Sequence, residues 1–135
     1  MKFLSSRAGA MRAAGVVTAL NVLVASGFSI AGLVSPEAIL PAGDAPNGAS
    51  LIFALYAAAR TIPLALFVLA AIYRGSAAAL LVLGALAGVM QLLDAGIGLV
   101  QHDVGKTVGP LVIAVAQFAV LWALRRAMVG EGRDG

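Results

Sequence analysis

The chain has no cysteine and a single histidine, which removes disulfides, thiol chemistry and any ordinary ligand set for a transition metal. Charge is scarce too. Only 11% of the 135 residues are Asp, Glu, Lys or Arg, against roughly a quarter in a soluble domain. The polar–apolar alternation that an outer-membrane barrel needs is missing as well. The net charge of +3 and the pI near 10 do not point to nucleic acid here, because the basic residues sit at the ends of apolar runs, where they orient a chain in a bilayer. No nucleic-acid partner, metal or cofactor is expected.

Hydrophobic residues make up 61% of the chain, and the mean hydropathy is +1.02. They gather in four runs, 13–34, 51–73, 77–100 and 108–128. Each holds more than 20 residues, enough at ~1.5 Å per residue to cross a hydrocarbon core of roughly 30 Å. A backbone in lipid must satisfy its own hydrogen bonds, so the runs read as helices. The expected fold is all-α: an integral-membrane antiparallel four-helix bundle, forming one domain over residues 1–135. The run after Arg12 is too long for a signal-peptide core and lacks a clear cleavage site, so it reads as a retained helix.

Lysine and arginine positions give the orientation. Lys2, Arg7, Arg12, Arg74, Arg125, Arg126 and Arg133 fall on one side of the spans and Lys106 alone on the other. The rich side is expected to be cytoplasmic, placing both termini inside and the protein in the inner (plasma) membrane. Arg74-Gly75-Ser76 is a very short turn between the second and third helices. Ser35–Ser50 is a longer outer connection with Pro36, Pro41 and Pro46. Its Ser35-Pro36-Glu37 start reads as a helix cap, a first-turn proline and a first-turn acid.

Two ionisable residues interrupt the spans: Arg60 in the second helix and Asp94 in the third. Charges there are costly and usually face a bundle interior or a cavity. Depth arithmetic puts the two about one helical turn apart, so an Arg60–Asp94 pair is expected. Tyr56 shares a face with Arg60, and Gln91 shares one with Asp94. Gln117 falls at a similar depth, and Asn21 is expected deeper, toward the cytoplasm. On the third helix Gly84, Ala87, Gly88, Gln91, Asp94, Ala95 and Gly98 form one arc, opposite Val82, Leu86, Val89, Leu93, Ile97 and Val100. Small residues suit helix packing and the aliphatic arc suits lipid, so Asp94 is expected to face protein. Gly84-x-x-x-Gly88 reads as packing rather than as a dimerisation signal.

With segments 56–63 (YAAARTIP) and 91–98 (QLLDAGIG) in view, the chain resembles the small four-helix bacterial membrane proteins grouped around the DoxX-like families, many of them domains of unknown function. The likeness covers the whole layout and rests in motif on Arg60 and on Asp94-Ala95. It implies a small multi-pass protein of uncharacterised role, an accessory subunit in the leading reading. A second reading is a membrane-embedded enzyme or binder for a lipophilic small molecule. There Asp94 acts as acid or base, Arg60 stabilises negative charge and Tyr56 orients the ligand, with Gln91, Gln117, Asn21 and His102 as binding contacts. A third is a proton-coupled transporter working as a homodimer, in which Asp94 titrates. The expected partners are the lipid bilayer, a lipophilic molecule, and a second copy or another membrane chain. The expected site is a cavity open to the outer side, lined by Tyr56, Arg60, Gln91 and Asp94 and covered by the Ser35–Ser50 loop.

Overall fold

The computed structural model describes residues 6–40 and 43–131; Lys2, Pro41 and Arg133 lie outside the described residues. Four helices follow one another: α1 (Arg7–Val34), α2 (Gly48–Tyr73), α3 (Ala77–Val100) and α4 (Val104–Glu131). A 3-10 turn, Pro36–Ala38, sits between α1 and α2, and no strand occurs among the described residues. Each helix packs on the next, α4 closes the ring against α1, and α1 touches α3 across the centre. Each is long and apolar enough to cross a membrane. The protein is an all-α, multi-pass four-helix bundle. Between 22% and 33% of each apolar stretch is buried inside the bundle, so most of its apolar surface is left for lipid to cover.

Three of the four helices start earlier than their apolar runs do, because caps rather than hydrophobicity end a helix. Ser6 Oγ accepts from the Gly9 amide at 3.1 Å and starts α1 ahead of residue 13. Asn47 and Ser50 form a reciprocal capping box that starts α2 at Gly48. Asp103 Oδ1 accepts from the Lys106 amide at 3.0 Å and starts α4 at Val104 instead of 108. The Ser35-Pro36-Glu37 signal yields only one 3-10 turn. Ser35 makes no side-chain cap there, and its amide instead closes α1 by donating to the Ala31 carbonyl at 2.7 Å.

The bundle has two ends. The turn end carries the α2–α3 turn with Arg74, Gly75 and Ser76, and the loop end carries the 3-10 turn and the α3–α4 connection. The two arcs of α3 sort as their residues dictate, with one exception. Gly84, Ala87, Gly88, Gln91, Ala95 and Gly98 are buried, and Val82, Leu86, Val89, Leu93, Ile97 and Val100 are exposed. Asp94 is the exception and is exposed. The glycines set the distance to α4. A Cβ on Gly84 would approach Leu121 to 2.9 Å, and one on Gly88 would approach Phe118 to 2.9 Å. The Gly84-x-x-x-Gly88 pattern therefore packs helices of a single chain.

Gly98 is the tightest point. A Cβ there would overlap the Lys106 carbonyl and the Thr107 nitrogen, which are backbone and cannot rotate away. Gly96 has nothing within 4 Å. Gly98→Ala is expected to cost about 1–3 kcal/mol by forcing α3 and α4 apart, whereas Gly96→Ala leaves stability unchanged or slightly raised. Thermal unfolding of the two variants in the same detergent checks this, and equal melting temperatures would contradict the packing.

Candidate functional site

Two polar arrangements stand out, one sealed inside the bundle and one open on its side. The sealed one is a ladder of amides. Gln91 Nε2 on α3 donates to Asn21 Oδ1 on α1 at 2.6 Å. Asn21 Nδ2 donates to Gln117 Oε1 on α4 at 3.2 Å, and Gln117 Nε2 donates to Thr18 Oγ1 on α1 at 2.8 Å. All four residues are at most 4% exposed. Asn21 and Gln117 stand near the midpoints of their helices, about 20 Å from either end at ~1.5 Å per residue. Asn21 is therefore level with Gln91 and Gln117, not deeper. A second set of bonds ties α1 to α2: Thr61 Oγ1 lies 2.9 Å from Ser29 Oγ, and Ser26 Oγ donates to the Thr61 carbonyl at 3.2 Å. Among the described residues, no buried side-chain nitrogen or oxygen lacks a partner.

The open arrangement holds Tyr56, Arg60 and Asp94, all of them exposed. Thr61 is bonded to α1, so Arg60, one residue earlier, is turned about 100° around α2 toward α3. Leu64 and Ala71 are buried on that same flank of α2. Gln91 points to α1, so Asp94, three residues on, is turned about 60° the opposite way, toward α2. The two ions thus face one groove. Arg60 lies 13 residues from the α2 end of the turn and Asp94 17 from the α3 end, an offset of four residues or about 6 Å.

They do not pair. No Arg60–Asp94 ion pair forms within 4.0 Å; among the described residues Asp103–Lys106, at 3.6 Å, is an ion pair. The Arg60 guanidinium instead lies 6.0 Å from the centroid of the Tyr56 ring. The reason is packing. α2 follows α1 closely, with Gly32 against Ala54 and Gly15 against Ile72, while α3 follows α4 through its glycines. Packing between α2 and α3 is the lightest of the three consecutive pairs. The expectation that Asp94 faces protein within its own chain is overturned for the same reason. The expected four-residue cavity also fails, because Gln91 is turned inward and spent on Asn21 while Tyr56 is 58% exposed.

The remaining candidate, His102, is exposed in the α3–α4 connection with a positive φ of 53°, remote from the ladder. Its neighbour Lys106 is busier. Lys106 Nζ donates to the Ile39 carbonyl at 2.9 Å and to Gln101 Oε1 at 3.1 Å, latching the segment after α1 onto the start of α4. At the turn end, Trp122, Arg125, Arg126, Val129 and Gly130 line a shallow concavity of about 320 Å³, with the Arg126 guanidinium 4.4 Å from the Trp122 ring centroid. Tryptophan and arginine at a span's end are interfacial anchors. The sequence reading did not single out Thr18, Ser26, Ser29 or Thr61, whose hydroxyls join the ladder and the α1–α2 ties. The spacing of Ser26 and Ser29, three apart on one face, is the signal that could have found them.

No protein-family model, curated protein or solved structure matches this chain.

Asn21 makes two ladder bonds and Gln91 one. Asn21→Ala is expected to lower stability by about 1–2 kcal/mol and Gln91→Ala by about half as much, the usual worth of interhelical hydrogen bonds in a bundle of this kind. Unfolding by titration with a denaturing detergent measures both, and the reverse order would break the ladder reading. A second expectation concerns pH. Amide donation from Lys106, then its positive charge, holds the Asp103 carboxyl below its ordinary value of 3.8. A depressed carboxylate stabilises the fold in full above its unfolded pKa, and that share is lost as pH falls through the lower folded value. The start of α4 is therefore expected to fray below about pH 4 and not above. Hydrogen exchange at Lys106 and Thr107, compared between wild type and Asp103→Asn, checks it: the variant should show no such acid step.

Proposed function

We propose that the protein is a non-catalytic subunit of a membrane assembly, which offers its α2–α3 groove to another membrane chain. The observation that carries this reading is the contrast between the two polar sets. The buried amides find their partners within the chain, while the two ionisable residues within the spans have no ionic partner among the described residues and face outward. An ionised group left against hydrocarbon costs several kcal/mol, so an exposed pair of them argues for a partner that covers them. Transport through a single copy is disfavoured, because Leu80, Leu124, Val22, Val68 and the ladder fill the centre.

A second reading rests on the groove as well. Tyr56, Arg60 and Asp94 together could hold the polar head of a lipophilic molecule entering from the side, with Asp94 as acid or base. The likeness to the DoxX-like families belongs with these proposals and is compatible with either. So does the orientation: the turn end, with Arg12, Arg74, Arg125 and Arg126, is assigned to the cytoplasm and the loop end, with Lys106, to the outside of an inner (plasma) membrane.

Reporter fusions at the two termini are expected to read cytoplasmic at both; an external signal from either would invert the assignment. For the subunit reading, the measurement is particle mass in lipid nanodiscs. The wild type is expected to exceed one 13.5 kDa chain, and the doubly neutral variant Arg60→Ala/Asp94→Ala to fall to one chain. A wild-type particle holding a single chain would remove the proposal and leave the small-molecule reading.

A further inference from the structure

Building on that subunit reading, we infer that the chain covering the α2–α3 groove is a second copy of this protein, bound about a two-fold axis along the membrane normal, with Arg60 of each copy paired to Asp94 of the other. The argument is one of symmetry and charge. Two copies inserted the same way round can be related by a two-fold rotation only about the normal, and such a rotation keeps every residue at its own depth. It also exchanges left and right, so a groove walled by α2 and α3 meets the same groove with α3 opposite α2 and α2 opposite α3. One wall carries a cation, Arg60, and the other an anion, Asp94, within about one helical turn in depth. The groove is thus complementary to itself. A groove with one charge, or with two of like sign, would repel its own copy.

Local geometry supports the exchange. Within one chain the light α2–α3 packing leaves Arg60 and Asp94 unpaired with each other. A second copy places a further helix in front of each. Four helices then surround two ion pairs and remove lipid from both. The Arg60 guanidinium carbon lies 6.0 Å from the centroid of the Tyr56 ring, a contact that uses none of the guanidinium's N–H donors, so its planar fork remains available to a carboxylate. The glycine pattern on α3 is already used by α4 of the same chain, so this interface does not draw on it.

The experiment uses two reversed-charge variants, Arg60→Asp and Asp94→Arg. The first sets acid against acid across the interface and the second base against base, so each alone is expected to lose self-association by roughly a hundredfold. Mixed, they restore both pairs. The acid introduced at position 60 of the first variant meets the base introduced at position 94 of the second. The native Asp94 of the first meets the native Arg60 of the second. Coexpressed with different affinity tags and moved to nanodiscs, the two variants should copurify as a two-chain particle, while neither does so with itself. Pairing within one chain cannot give this result, since each variant carries two like charges. Helix content by circular dichroism separates loss of association from loss of fold, and the doubly reversed chain, Arg60→Asp/Asp94→Arg, should dimerise alone. The inference is overturned if either single variant still dimerises with itself, or if the mixture does no better than its components. A wild-type particle of one copy with a different protein overturns it too, but leaves the subunit reading in place.

Discussion

Helices surrounded by hydrocarbon gain little by hiding leucine from lipid, since lipid is as apolar as leucine; what fixes one arrangement is the satisfaction of groups that lipid cannot serve. Here that demand falls on Asn21. Its side chain has an acceptor and a donor on one short stem, and it uses both, taking a bond from Gln91 on α3 and giving one to Gln117 on α4. Gln117 passes the series back to α1 through Thr18. One residue thus sets the register of three helices. Sliding α3 by a single turn would carry the Gln91 amide about 5 Å away and leave buried polar atoms unpaired.

The glycines of α3 follow from the same demand. Gln117 can lie beside α3 only where no side chain competes, and a Cβ on Gly84 would stand 2.8 Å from its Nε2. Gly88 makes room for Phe118 just beyond. Close approach of α3 and α4 and the placing of the Gln117 amide are therefore one feature. α2 stands outside this system. Its ties run to α1 through Thr61, Ser26 and Ser29, and against α3 it is fixed chiefly by the short turn at Arg74 and Gly75.

Much of the fold was legible in the sequence, and the reason is physical. Length and hydropathy report what the hydrocarbon core accepts, so four spans and the lipid-facing arc of α3 could be read from Val82 to Val100. Helix ends answer to caps, so Ser6, Asn47 and Asp103 extend three of the helices beyond their apolar runs. The site was less legible. Asn21, Gln91 and Gln117 were recognisable as groups needing partners, but which of them meet depends on tilt and on which neighbour each helix follows. The Arg60–Asp94 pairing assumed that helices joined by a three-residue turn stay close along their whole length. A short turn fixes only one end. Beyond it, the ladder draws α3 to α1 and α4, the hydroxyl ties draw α2 to α1, and the two charged flanks are left facing each other without meeting.

This division between neutral and charged groups has a consequence for assembly. An amide can be neutralised by one or two well-placed neighbours of the same chain, at a cost small enough for a single bundle to meet before it finds a partner. A guanidinium and a carboxylate require each other, or water, and within this chain Arg60 and Asp94 do not meet. By satisfying its amides internally and leaving Arg60 and Asp94 on one exposed flank, this bundle is complete in fold but incomplete in charge. The two charges lie within about one helical turn in depth and on one face, and on the proposed reading a charge deficit so confined would select a partner by position as well as by sign.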